Sequence, residues 1–367
     1  QYVSQDDISN LPSMDRNIQD FARLSPSIVT NDNNGSSVGG RNNRYNSIQI
    51  DGAIMNDAFG LSSTGTPGGG SEAQPISLDA IQEFQVSVSP FDVRQGGFTG
   101  GAISAITRSG TNKFIGSAYY YGKNSNLVGS NPTEYPEFND MTIGGRIGGP
   151  IIKDKLFFFA NGEFRDREDP QNLLITTDLT QKSVNTMYID KNILQAVRDT
   201  VKNRYGYDPG SYDPYTKTLG DVKLFARLDY NLSDLHRLTL RHNYVNANAA
   251  RAVDRFSNTF SYSGQEYQFR SMQNQTVLQL NSIISENIAN ELRISYTILN
   301  DERDYGSNPF ASVTINKMGV DNKSAVQFGV ERSSQANTLD QKILEFADNF
   351  SIFTGNHAFT FGTSNQF

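Results

Sequence analysis

The sequence predicts a mainly β protein: a transmembrane antiparallel β-barrel preceded by a small glycine-rich α/β unit. Three observations lead there. From Lys113 onward, apolar and polar residues alternate with a period of two over segments of about ten residues or more, the length of a tilted bilayer-spanning strand. The connections between those segments alternate between short and long. The chain before residue 112 has a different composition, dense in Gly, Asn and Ser.

Composition bounds this reading from outside. The chain has 367 residues, 37% of them hydrophobic, with a mean hydropathy of −0.50. Those values resemble a water-soluble protein, and no stretch approaches the roughly 18 apolar residues of a membrane-spanning helix. Barrel strands escape both criteria, because every second residue faces a polar lumen. The net charge of −7 argues against a nucleic-acid partner held through phosphates. The absence of cysteine excludes disulfide frameworks and thiolate metal sites. There is no Trp, against 17 Tyr and 23 Phe. Gln1 opens in ordinary sequence without a signal peptide, so a removed leader or an earlier natural start is expected.

Residues 1 to 111 hold one helical pattern, Ser13 to Leu24, with Met14, Ile18 and Phe21 on one face and Pro26 beyond its end. The stretch NDNNGSSVGGRNNRYNS leads to the strand IQI and the turn Asp51-Gly52. The loop LSSTGTPGGGSEAQP follows, read as flexible because of its glycines. Ser77 to Ile81 reads as one helical turn, EFQVSVS and AISAIT as strands.

Nine strands are expected after that: 113–122, 139–149, 155–166, 221–231, 236–246, 270–283, 289–300, 340–351 and 357–366. In VKLFARLDYNLSDLHRLTLRHNY (222–244), Val222, Leu224, Ala226, Leu228 and Tyr230 oppose Lys223, Arg227 and Asp229, and the alternation resumes after Leu235. Two features break the pattern: Asp348 falls on the apolar register of its strand, and the face of 113–122 is ambiguous. Long linkers (123–138, 167–220, 247–269, 301–339) alternate with short turns, and 167–220 carries a helical pattern from Asp190 to Arg204. In an up-and-down sheet all the long connections then share one end, the asymmetry of an outer-membrane barrel. A soluble sandwich gives no reason for it. The apolar face therefore meets lipid and the charged face a wet or protein-filled lumen. Tyr119, Tyr120, Tyr121, Phe157, Phe158 and Tyr244 are the candidates for an interfacial aromatic belt.

No catalytic constellation is present, so an enzyme is not expected, and neither is a cofactor. His236, His242 and His357 lie on or beside strands and read as interfacial or lumen polar residues. NDNNGSS fails as a calcium loop, because the aligned twelfth position is Arg41 where a Glu is needed. GGRIGG (144–149) ends a strand with no helix following, which a dinucleotide loop requires.

GRNNRYNSIQIDGAIMND (40–57) and SLDAIQEFQVSVSPFDVRQGGFTGGAISAITRSGTNKFIGSAYYY (77–121) resemble the plug segments of TonB-dependent outer-membrane receptors, closest to the Oar-like subgroup. The resemblance implies a plug domain over 1–111, lodged inside a barrel whose first nine strands or so fill 112–367. Such barrels close with about 22 strands, so the chain reads as a fragment, incomplete at both ends and lacking the TonB-contacting box. The family implies the outer membrane of a Gram-negative bacterium as location. It implies a receptor that imports a bulky nutrient (siderophore, cobalamin, glycan or peptide) with plug gating. The alternative is an adhesion, secretion-associated or scaffold role through the long loops. Expected partners are the TonB energy-coupling complex through the missing segment, outer-membrane lipid, and an unidentified substrate or surface protein. By the same resemblance, the plug's apical loops supply the candidate ligand-binding residues: Arg41, Asn42, Asn43, Arg44, Asp51, Asn56 and Asp57. Their other reading is that they pin the plug to the wall.

Overall fold

The computed structural model describes residues 2–11, 16–31, 35–57, 59, 62, 64–88, 92, 94, 96, 98–128, 137–170, 174–181, 186–213, 215–251 and 258–367. Met14, Asp32 and Asn34, which entered the helix and calcium-loop readings, lie outside the described residues. The remainder of the expected N-terminal helix is the short Ile18–Ala22, with Ile18 and Phe21 buried.

Among the described residues the larger sheet has nine strands: β1 Ile115–Asn124, β2 Asn139–Ile152, β3 Leu156–Pro170, β4 Thr216–Ser233, β5 His236–Arg251, β6 Tyr267–Ser285, β7 Ile288–Asp304, β8 Thr338–Thr354 and β9 His357–Gln366. They pair in chain order, every neighbour antiparallel. Each expected strand is present, and most run further into the long connections than the pattern suggested. Beyond the hydrocarbon layer both faces of a strand meet water, so apolar alternation ceases while the hydrogen-bonded ladder continues. GGRIGG accordingly lies inside β2, which passes through Pro150 to Ile152.

The wall is inside-out relative to a soluble sheet. Leu240 on β5 is 41% exposed, whereas its neighbour Arg241 is 1% exposed. Leu224, Leu228, Leu278, Tyr296 and Leu344 share the outward face. The concave face buries Asp229, Asn243, Gln273 and Gln275. Asp348 does stand on the outward register opposite Leu292, where Asn290 Nδ2 donates to its carboxylate at 2.8 Å. His242 is outward too, its Nδ1 2.9 Å from Thr276 Oγ1.

The aromatic belt needs correction. Tyr119 turns inward to donate to Glu163, Tyr121 lies beneath the Arg16 guanidinium, and Phe157 sits opposite inward-facing Asp229. Tyr120, Phe158 and Tyr244 remain on the lipid side. Consecutive residues of a strand point to opposite faces, so a Tyr-Tyr-Tyr or Phe-Phe run cannot belong wholly to a belt.

Within the concavity lies the smaller sheet, of five strands in the order Tyr2–Val3, Ile81–Val88, Gly101–Thr107, Ser47–Ile50, Ala53–Ile54. Its core of Val3, Ile18, Phe21, Ile50, Met55, Ile76, Leu78, Ile81, Phe84, Val86 and Ile103 is continuous with Phe159 of β3 and Phe225 of β4. The inward register is mixed rather than wholly polar, since Val245, Val277 and Leu299 are also buried on it.

Three of the long connections fold on one another beyond the rim. A helix, Lys191–Tyr205, is capped by Asp190 and ended by Gly206 at φ 67°. Strands 259–261, 325–328 and 313–315 form a sheet. Met187, Ile189, Leu194, Val201, Phe260, Tyr262, Val326 and Phe328 are the shared core, and Tyr207 stacks on Phe310 at 4.2 Å. Hydrogen bonds from Arg198 to Asp208 at 3.0 and 3.2 Å, with further donation from Gly210 N–H and Lys202, hold that carboxyl below its usual range against partial burial.

Leu240→Arg, which puts a charge on the lipid face of β5, is expected to lower stability by about 2–4 kcal/mol, and Leu240→Phe to leave it nearly unchanged. Denaturant titration of the full-length protein in lipid vesicles checks both. The folded Asp208 pKa lies below the unfolded value of about 3.9. Its contribution is therefore complete above roughly pH 4 and fades as pH falls toward the folded value. Near-ultraviolet circular dichroism of the module's tyrosines should show a small acid step below that pH, absent in Asp208→Asn.

Candidate functional site

The site is built where the small sheet meets the wall. Asp51 and Gly52 both have positive φ, 47° and 76°, the two-residue turn that Asp-Gly favours between antiparallel strands. A side chain at Gly52 would have to push the Arg293 guanidinium aside, so the positive φ is the stronger reason for glycine there. The Asp51 carboxylate accepts from Thr107 N–H at 2.8 Å and Thr107 Oγ1 at 2.7 Å. Arg241 Nε stands 3.2 Å from Asp51 Oδ2 and Arg227 Nη1 3.7 Å from it. Arg241 also donates to the Ile50 carbonyl at 2.5 Å and to Gln275 at 3.1 Å. Glu345 accepts from Ile54 N–H at 3.2 Å and pairs with Arg293 at 3.4 Å. One hairpin tip is thus gripped from β4, β5, β6, β7 and β8. A buried guanidinium needs its charge paired and its donors used; the plug supplies the counter-charge at Asp51 and an acceptor at the Ile50 carbonyl, and Gln275 of the wall supplies a second acceptor.

A second joint lies across β1 to β4. Glu163 accepts from Tyr119 at 2.6 Å, Ser77 at 2.9 Å and Lys223 at 2.9 Å, and Lys223 also meets Asp221 at 2.6 Å. Ser77 is the N-cap of the 3-10 turn Leu78–Ala80, and within that turn Asp79 pairs with Arg146 at 2.8 Å. Burial pushes the Asp79 carboxyl up against the pull of Arg146. Burial, then the nearby Arg146, lowers the Arg108 guanidinium to about 10, which leaves it charged at neutral pH.

The third joint is the glycine-rich loop. Its glycines were expected to supply flexibility; the structure shows them serving close approach. A side chain at Gly68 would strike Gln273 and Ser271, and one at Gly70 the Phe269 ring. Gln273 donates to the Pro67 carbonyl at 2.9 Å and Asn243 to the Pro75 carbonyl at 2.7 Å. Glu72 pairs with Lys217 at 3.0 Å and Arg251 at 3.1 Å.

The seven candidate residues occupy different places. Arg41 and Arg44 have exposed side chains, and Asn42 caps the turn Asn43–Tyr45 by accepting from Arg44 N–H at 3.1 Å. Asn43 is buried. Asn56 accepts from Ile48 N–H at 2.7 Å, and Asp57 from Phe59 and Ser62 N–H. Arg44, Asn56 and Asp57 come together with Ser295, Thr297 and Glu345 around a cavity of about 250 Å³. Asp51 is instead in the first joint, and Arg41, Asn42 and Asn43 do not line the cavity. Glu72, Ser77, Asp79 and the wall's Arg241, Arg293 and Glu163 were not singled out from sequence. The signal for the wall residues was their inward register; nothing local signals the plug residues that answer them.

Comparison with known proteins agrees with this architecture. The family model described as "Outer membrane beta barrel domain" matches residues 106–221 and 217–366. The TonB-dependent transporter Oar of Myxococcus xanthus is 33% identical over 156 residues, 40% of this chain and 14% of that protein. The probable TonB-dependent siderophore receptor PirA of Acinetobacter baumannii is 26% identical over 180 residues, 45% of this chain and 22% of that protein. Among solved structures, the outer membrane transporter YddB of Escherichia coli superposes with a TM-score of 0.68 at 14% identity, covering 99% of this chain and 47% of that one. The A. baumannii siderophore receptor PirA gives 0.61 at 15% identity, with coverage of 99% and 47%. The chain thus spans about half of those solved chains and less than a quarter of the curated relatives it matches. Its place is the outer membrane of a Gram-negative cell, and the chain belongs to the outer membrane β-barrel domain family, with the plugged-barrel fold of the TonB-dependent receptors.

Proposed function

We propose that residues 1–111 are the plug, and 112–367 the first part of the wall, of a receptor that binds a bulky nutrient at the cell surface and imports it by plug rearrangement. The supporting observation is how the plug is held. Apolar contact with the wall is confined to small patches, at Phe159 and Phe225, at Ala73 on Val245 and Ala247, and at Gly70 on Phe269; the rest of the grip is hydrogen bonds and ion pairs gathered in three joints. Opening an apolar interface exposes its whole area to water, whereas polar contacts exchange for water at small net cost. A plug held in this way can be moved without unfolding. In this reading the TonB complex pulls on the N-terminal side, and ligand must bind the plug's two states with different affinity for coupling to occur.

Arg44, Asn56 and Asp57 supply the ligand contacts in the cavity, with Arg41 and Asn42 beside it, while Asp51 and Asn43 hold the plug. Siderophore, cobalamin, glycan and peptide are the substrate classes this reading admits; the relatives named above include siderophore receptors. The second reading, an adhesion or scaffold role, draws on the loop module, whose own hydrophobic core suits it to present a fixed surface to a protein partner.

Accumulation of labelled siderophore, cobalamin, oligosaccharide and peptide in TonB-competent and TonB-deficient cells separates the two. Uptake of one class only in competent cells is expected, and Arg44→Ala should weaken binding of that class about tenfold. Equal accumulation in both strains sinks the transporter reading and leaves the scaffold. Asp51→Asn leaves Arg241 buried without its carboxylate, at an expected cost of about 3 kcal/mol to plug docking. Limited proteolysis should then cut the plug faster while the wall keeps its folded, heat-modifiable migration on gels.

A further inference from the structure

Glu72 occupies the extracellular mouth in an unusual way. It is a non-glycine residue at φ 59°, and its half-buried carboxylate lies between Lys217 Nζ at 3.0 Å and Arg251 Nη1 at 3.1 Å. Arg251 also donates to the Gly70 carbonyl. Lys217 and Arg251 stand side by side on β4 and β5, one step beyond the Leu219–Ala249 pair on the same inward register. Arg167, paired with Asp169 at 2.7 Å, is a third cation beside them. Desolvation would raise the Glu72 carboxyl, but Lys217, Arg251 and Arg167 together hold it below its usual range. Arg167 also stands opposite Asp140 in the ladder, so Lys217 and Arg251 are the two cations whose shared carboxylate partner comes from the plug.

The two central cations also lie at the roots of the loop module. The segment bearing helix Lys191–Tyr205 enters β4 just before Lys217, and β5 ends at Arg251 on the way to strand Thr259–Ser261.

We propose that Lys217 and Arg251 form a binding site for a carboxylate- or phosphate-bearing ligand, that Glu72 fills it as an internal competitor, and that displacing Glu72 frees apical loop 66–72. The consequence for import rests on the plug reading above. The anion site itself does not. A guanidinium fork and an ammonium suit a planar carboxylate or a tetrahedral phosphate equally well. Glu72 is partly solvated, so returning it to water costs little. Release also relieves a backbone conformation that non-glycine residues adopt at a cost. Once Glu72 leaves, the described contacts that still hold the loop are the Gln273–Pro67 hydrogen bond, the Arg251–Gly70 contact and the packing of Gly68 and Gly70 on the wall, with Ala73 anchored beyond it on Val245 and Ala247.

The chain has no cysteine, so a Ser71→Cys reporter labels alone within it, and Ser71 is 0% exposed. Maleimide labelling would be timed on the full-length protein in outer-membrane vesicles lacking TonB. The probes are citrate, inorganic phosphate, and sodium chloride at matched ionic strength. Citrate or phosphate, but not chloride, should speed labelling about three- to tenfold, the range for losing partly exposed charge-assisted bonds. Whichever probe acts identifies the ligand chemistry. Glu72→Gln should label fast without any anion, and the Lys217→Gln, Arg251→Gln double variant should lose the anion response. Labelling of Glu72→Gln at the parent rate, or a citrate response that survives in the double variant, overturns the proposal. Because TonB is absent throughout, a failed import assay and a failed anion response remain separate results.

Discussion

A sheet that turns charged side chains toward its own concavity can stand in lipid only if those charges are solvated from within. Part of that solvation comes from pairing along the wall itself, as between Arg227 and Asp229 or Lys223 and Glu163, and part from the plug, with its backbone as much as its side chains. Arg241 reaches the Ile50 carbonyl, Asn243 the Pro75 carbonyl, Gln273 the Pro67 carbonyl and Gln275 the Ile54 carbonyl. Removed from the plug, each of these wall groups would need water in its place, and Arg241 would lose its counter-charge as well. The two sheets therefore depend on each other: donors and acceptors of the wall meet acceptors and donors of the plug at matching heights.

Close approach is the second condition. Backbone carbonyls can serve as acceptors only where nothing stands between them and the wall, and glycine provides the clearance at Gly52, Gly68 and Gly70. Composition alone reads such a glycine-rich run as loose. The geometry reads it as closely packed on the wall, because a missing Cβ lets a backbone touch a neighbour just as it lets a backbone flex. The apical turn with Glu72 inherits its position from this packing.

The module outside the rim follows a different rule. Its core is contributed by three segments far apart in sequence, around Leu194, Phe260 and Phe328, each too short in apolar residues to bury anything alone. Their convergence depends on the up-and-down order of the wall, which brings alternate connections to one end. The wall thus does two jobs, a lipid-facing surface along its length and a scaffold for the module at its end.

The sequence by itself determined the nine strands, their order, the side facing lipid and the side on which the long connections gather. These follow from period-two alternation and from connection length, both local properties that the bilayer enforces residue by residue. It also determined the Asp-Gly turn, whose φ angles few other pairs tolerate. Only the tertiary structure decided which inward charge meets which plug group: that Arg241 answers Asp51, Glu163 answers Ser77, and Arg251 with Lys217 answers Glu72. It likewise separated Arg44, Asn56 and Asp57, which share a cavity, from Asp51, which does not. Those pairings join residues tens to nearly two hundred positions apart, and nothing in either partner's local pattern encodes the height at which the two surfaces meet.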